Sequence, residues 1–329
     1  MTENLRTFCL TIFAVLEAAS SMPWGRRRFL ALALCLIVPF LLVAAVTVAI
    51  TGTSFAQSVE WGKVDAAIGR KATVSGDVHR YGFPRTDLNV SLDDVALKPA
   101  FALGGWVAFK PMNAEVMVMG DLVLLETEIT PAMTKLIENR IEITAIHNHL
   151  LRAKPMPFYM HVGGHGDAIK LATAIRAGLA ASKTPLEASA TGDAPALEFD
   201  TEQVDQILGV KGKTNGGVYQ FALPRREPIR EGELTLVPAG PMGVATSINF
   251  QPTGGGKAAI TADFVLAANE VNPVIKALRE NEIEVTALHS HMLAEQPRLF
   301  FMHFWADDEA IKLAKGLRAA LDHVALAKD

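Results

Sequence analysis

Beyond residue 56 the chain has no cysteine; its two cysteines, Cys9 and Cys35, both precede that point. Disulfides, thiolate metal ligands and a cysteine nucleophile are therefore excluded from the remainder of the chain. Leu32-Ala33-Leu34, before Cys35, is not a lipobox, so lipid modification at that cysteine is not expected. Basic runs are missing as well. Four of the 31 Lys and Arg and two of the 35 Asp and Glu lie before residue 57, which leaves 27 against 33. A mildly acidic chain with no basic–aromatic stripe is not expected to bind nucleic acid. There is no His-Glu-x-x-His and no Gly-x-Ser-x-Gly. In "PTGGGKAA" (252–259), Gln251 stands where a phosphate loop needs its first glycine and Ala258 where it needs Ser or Thr, so a hairpin loop is the simpler reading.

The first 56 residues look like a leader. "WGRRRFL" (24–30) precedes Ala31 to Ile50, an apolar run without a charge, and Ser54-Phe55-Ala56 has the small-x-small form of a cleavage site. The run is also long enough to act as an uncleaved anchor. Arg26-Arg27-Arg28 fits a twin-arginine signal as well as ordinary secretion. In every case the rest of the chain is expected outside the cytoplasm, periplasmic or secreted, and meets the inner membrane only through an uncleaved leader.

The remainder is duplicated. "VDAAIGRKATVSGDVHRYGFPR" (64–85) aligns with "VDQILGVKGKTNGGVYQFALPR" (204–225), "IEITAIHNH" (141–149) with "IEVTALHSH" (283–291), and "AIKLATAIRAGL" (168–179) with "AIKLAKGLRAAL" (310–321). A period of about 140 residues is far longer than a solenoid repeat, so these are two copies of one domain. The expected organisation is leader 1–56, first repeat 57–180, an Ala/Ser/Thr/Pro-rich linker 181–200, and second repeat 201–329. Each copy reads as several hairpin-connected strands, a helix begun at Pro131 or Pro273 with Thr130 or Asn272 as N-cap, a histidine hairpin and a final amphipathic helix. The fold class is α+β: two duplicated domains, each an antiparallel sheet with a few helices, related by a pseudo-twofold axis.

Six of the nine histidines fall in two windows, "AIHNHLLRAKPMPFYMH" (145–161) and "ALHSHMLAEQPRLFFMH" (287–303). Strand alternation puts His147 and His149 on one sheet face. A turn centred on Pro155 would set His149 opposite His161, with His147 diagonal to it. His289, His291 and His303 repeat the arrangement. Three converging imidazoles are a ligand set for a divalent transition metal such as Zn, Cu, Ni or Fe. A metal-free ligand or catalytic site and a purely structural brace are the competing readings, and two sites, one shared site or a polar seam all remain open. Glu128 and Glu270, just before the Pro-started helices, are the candidate general bases or fourth ligands. Asp121 and Asp263 read as turn residues at the start of a strand. Arg85 and Arg225 are expected to pair with Asp87 and Glu227. His79, His165 and His323 are read as ordinary, with His165 in a glycine-rich turn.

"GDLVLLETEITP", "ITAIHNHLL" and "FYMHVGGHGDA" followed by an amphipathic helix resemble the LppY/LpqO family of bacterial extracytoplasmic proteins. The resemblance covers 60–325 and implies secretion and a repeated domain of unknown function, but no reaction. The expected partner is a small molecule or an envelope component. Three functions are compatible with these residues: a binding protein without turnover, a metal-dependent hydrolase or oxidoreductase, and a scaffold.

Overall fold

The computed structural model describes residues 59–187 and 196–327. The leader and part of the linker lie outside them. Among the described residues no helix is long and apolar enough to cross a membrane. Both repeats belong to one compact unit, Ser58–Asp329.

Each repeat is a six-stranded antiparallel sheet with helices on one face, so the α+β duplication holds. Across the first sheet the strands run Thr73–Ser75, Val78–Pro84, Gly104–Met112, Glu115–Leu125, Pro157–Gly166 and Glu142–His147. The second runs Lys213–Asn215, Val218–Leu223, Thr246–Gly254, Lys257–Leu266, Phe300–Glu309 and Glu284–His289, in the same order. In both repeats the opening helix (Trp61–Ile68; Thr201–Leu208) stops at a glycine in the left-handed region, Gly69 at φ 87° and Gly209 at φ 75°. That conformation suits glycine, which has no Cβ to clash.

The central strands are apolar on both faces because both faces are covered. In Glu115–Leu125, Val118, Leu122 and Leu124 pack under the helices of the first repeat. Met117 and Val123 point the other way, into clusters that contain second-repeat residues such as Val265, Phe301 and Trp305. The two sheets therefore pack face to face, with helices outside. Polar contacts cross this seam. Gln251 donates to the Ala96 carbonyl and accepts from Lys98 N, at 2.8 Å each. Arg152 reaches Glu284 across it at 2.8 Å.

The proline-containing helix of each repeat begins earlier than the prolines suggest, at Glu126–Glu138 and Val271–Glu280, so Thr130 and Asn272 lie inside the helices. In the first, Glu128 accepts from Leu125 N at 2.8 Å, which satisfies an N–H exposed at the helix start. In the second, Glu270 is itself the residue before the helix, and its carboxylate accepts from Ala267 N at 2.7 Å in the turn ahead of it. Pro131 then falls within the second turn of its helix.

Candidate metal centre

The histidine strands take a register different from the one alternation alone suggests. A bulge between Ile143 and Ala145 puts Ala145 opposite His161 and His147 opposite Tyr159. The second copy does the same, with Ala287 opposite His303 and His289 opposite Phe301. His147 and His161 are thus diagonal neighbours on one face. His149 lies past the end of its strand, stacked on Tyr159 at 3.3 Å between ring centroids, and not opposite His161. The connection from 148 to 156 is a long loop whose Lys154 bridges to Ser91, so no tight turn at Pro155 sets the register.

Because the sheets face one another, the two histidine sets interleave. His147 stacks on His289 at 3.6 Å, His149 on His303 at 3.6 Å, and His161 on His291 at 3.7 Å. Each stack pairs one repeat with the other. Within a repeat, Nε2 of His147 is 3.0 Å from Nε2 of His149, and Nε2 of His291 is 2.9 Å from that of His289. Tyr159 closes one end of the cluster over His149, and Phe301 the other over His291. Thr286 of the second repeat donates to the His149 carbonyl, which ties the loop down across the seam. The question raised by the sequence has one answer: the six histidines form one shared cluster.

Two aspartates complete it. Asp121 and Asp263 are not turn residues; they sit mid-strand, and Asp121 pairs directly with His161. Asp121 Oδ1 is 3.7 Å from His161 Nε2, and Asp263 Oδ1 is 3.7 Å from His303 Nε2. That is too long for a hydrogen bond. It is close to the separation of two ligands on one ion, since bonds of about 2.0–2.2 Å place neighbouring ligand atoms about 3–3.6 Å apart. Four overlapping groups have all their ligand atoms within 4.8 Å of one another: His147/His149/His289/His303, His147/His161/His291, Asp121/His149/His161 and Asp263/His291/His303. The last two exchange under the duplication, and each is a two-histidine, one-carboxylate set.

Hydrogen bonding leaves this cluster incomplete. Asp121 Oδ1, Asp263 Oδ1, His147 Nδ1, His289 Nδ1, His161 Nε2 and His303 Nε2 are buried without a partner. Each has its counterpart in the other repeat. A buried polar atom without a partner costs about 1–3 kcal/mol. The tautomer of His303 follows from its surroundings: Nδ1 donates to the Ala262 carbonyl at 2.7 Å, so Nε2 of the neutral ring carries a lone pair. An imidazole held by a backbone carbonyl, with the other nitrogen free, is the usual posture of a metal ligand. Burial, reinforced by the charge of His289, pushes His147 down to about 3, and burial pushes His289 down to about 4. All six rings are lowered, and neutral imidazole is the form that ligates. Burial pushes Asp121 up to about 7 despite the nearby Arg80, and raises Asp263 as well. A bound cation is what would let both carboxylates ionise in this environment.

Glu128 and Glu270 are placed differently from the reading of them as bases or ligands. Among the described residues, no group containing the histidines includes either glutamate. Glu128 takes Arg85 at 2.7 and 3.2 Å, Leu125 N and Lys183 N. Glu270 takes Arg225 at 2.6 and 3.0 Å, Ala267 N and Ala325 N. Arg85 and Arg225 also pair with Asp87 and Glu227, as expected. His79 stacks on Trp61, and His79, His165 and His323 stay outside the groups. What the sequence hid was Asp121 and Asp263. The available signal was their spacing of 142 residues, the same as that of the histidines.

A family profile described as Domain of Unknown Function (DUF1259) matches residues 62–181 and 202–323, one copy for each histidine hairpin. The chain belongs to this family. As a DUF1259 protein it carries two copies of the domain, and the cluster needs side chains from both. A search of curated proteins gave no match. Among solved structures, a trimeric bacterial microcompartment shell protein, PduB, aligns at 14% identity with a TM-score of 0.19, over 79% of this chain and 96% of that one. EtuB from Clostridium kluyveri aligns at 11% identity with a TM-score of 0.18, over 77% and 90%. Scores this low establish no common fold, and nothing about this DUF1259 protein is taken from them.

Proposed function

We propose that this protein is an extracytoplasmic binding protein for a divalent first-row transition metal, held jointly by its two repeats. The observation that carries this reading is the set of six buried, unpartnered ligand atoms on facing imidazoles and carboxylates. A purely structural histidine seam would satisfy its own nitrogens, as natural interiors do; here the unsatisfied atoms all belong to the one cluster with metal-ligand geometry, apart from Arg70 Nε and Glu231 Oε2 elsewhere. The donor set of imidazole and carboxylate without thiolate suits Zn, Fe, Ni or Cu in the divalent state. The leader, with its arginines before an apolar run, supports export, and the resemblance to the LppY/LpqO family agrees with it.

A second reading, a metal-dependent hydrolase or oxidoreductase acting on an envelope component, is favoured by one observation. A cleft of about 510 Å³ is lined at its inner end by His149, His303, Asp121 and Asp263. A divalent ion there supplies Lewis acidity when bound. The chain's own part is to hold neutral imidazoles and to leave this side open.

Thermal unfolding of chelator-treated full-length protein, titrated with Zn²⁺, Ni²⁺, Cu²⁺ and Fe²⁺ in turn, tests the binding reading. At 100 times Kd, a ligand of the native state alone adds about 2.7 kcal/mol of stability. At least one of these ions is expected to raise Tm by several degrees while Mg²⁺ does not. No shift with any of them contradicts the proposal.

A further inference from the structure

The pseudo-twofold symmetry that builds the cluster does not extend to its surroundings. The cleft of about 510 Å³ reaches one side, at His149 and His303. The duplication maps these onto His291 and His161, and the corresponding space there is closed to about 10 Å³. Met119, Met242, Val244 and Met292 fill it, packed against Trp106. Where the closed side has Met119, the open side has Thr261, its counterpart at the same spacing of 142. One mouth of a duplicated site is filled with apolar side chains, and the other is open, with charged and polar groups among its lining.

The open mouth is also cationic. Its wall holds Arg80, Lys211 and Lys213, and its only carboxylates are Asp121 and Asp263 at the inner end. Arg80 lies over the Trp106 ring at 3.7 Å and donates to the Pro241 carbonyl, which fixes its position, yet it makes no ion pair among the described residues. Lys211 and Lys213 are exposed and have no acidic partner among the described residues. The chain as a whole is acidic, so three cations around one opening, of which Arg80 alone has a carboxylate near it, Asp121, are a local reversal of charge. Asn249 and Ser247 add neutral polar groups to the lining.

We propose that this single open mouth binds a small anionic molecule, whose carboxylate or phosphate is drawn in by Arg80, Lys211 and Lys213 toward the shared metal centre. The inference rests on the metal reading for what lies at the inner end, but the cationic wall is independent of it. Fixed cations in a cleft concentrate anions and bind oxyanions by charge-assisted hydrogen bonds. The volume suits a small-molecule ligand.

The test is calorimetric titration of full-length, metal-supplemented protein with inorganic phosphate and, separately, with citrate; the tighter binder identifies the source of the oxyanion. Lys211→Ala combined with Lys213→Ala, both exposed and so tolerated by the fold, is expected to weaken the tighter probe about tenfold or more. Arg80→Gln is expected to do the same. Metal content should be unchanged in both variants. Equal affinity in wild type and both variants would overturn the proposal, because the anion would then be meeting metal alone, and so would the absence of binding by either probe. If the wild-type protein carries no metal while anion binding still falls in the lysine variant, the metal reading fails and the cleft reading stands.

Discussion

Glu128→Ala is expected to destabilise the protein by about 3–5 kcal/mol, the usual cost of breaking a buried ion pair from one side. Arg85 is fully buried and Glu128 nearly so. The substitution leaves Arg85 with Asp87 as its remaining carboxylate and strips Leu125 N and Lys183 N of their acceptor. Those two amides lie at the start of a helix and just past the end of the next, so one carboxylate joins both to the sheet. The pH dependence follows from the same contacts. Burial alone would raise the pKa of Glu128, but the hydrogen bonds from Arg85, Leu125 N and Lys183 N, together with the charge of Arg85, outweigh it and hold the group below 4.5. Glu270 is lowered in the same way. A carboxylate depressed in the folded state contributes stability that is full above the unfolded pKa and is lost as pH falls through the folded one. Wild-type protein should therefore lose stability progressively below about pH 4.5, and the variant should lose less over that range. Urea unfolding at pH 7 and at several acid pH values measures both effects. A loss under 1 kcal/mol at pH 7 would mean that the network is not a structural tie.

The double substitution Asp121→Asn, Asp263→Asn is expected to act in opposite directions with and without metal. In metal-free protein each aspartate is a buried carboxylate with an unpartnered oxygen, and neutral asparagine of the same size relieves a penalty of about 1–3 kcal/mol per site. Tm of chelated protein should therefore rise. In metal-supplemented protein the same change removes two anionic ligands, and the metal-induced increase in Tm should largely disappear. Sites shaped for binding commonly reduce stability in the empty state. A fall in Tm in both conditions would show instead that the aspartates serve the fold.

The large features of this fold were legible because they depend on local pattern. Duplication, sheet-plus-helix class and the shared face of the strand histidines follow from repeated strings and from alternation. Register was less legible. The bulge between Ile143 and Ala145 shifts pairing along the strand without altering the residue pattern, so His149 could be placed opposite His161 on paper while it stacks on Tyr159 in the fold. The surroundings of the carboxylates were illegible for a related reason. Glu128, just before the Pro-started helix, reads as a candidate base or ligand, but its partners are Arg85, 43 positions earlier, and Lys183, 55 positions later. Asp121 looked like a turn residue beside Gly120, and only strand pairing reveals that it faces His161. Above all, the pairing of His147 with His289 depends on how two sheets meet, and nothing within either window records it.

That meeting underlies the central proposal: one metal centre made by both repeats and not two centres side by side. It is tested most directly by elemental analysis of three full-length proteins purified without chelator: wild type, the variant with His147, His149 and His161 changed to alanine, and the variant with His289, His291 and His303 changed to alanine. The account predicts transition metal in the wild type and none in either variant, although each variant keeps one repeat's histidines intact. Metal-free wild-type protein, or half the wild-type metal retained in each variant, would contradict it.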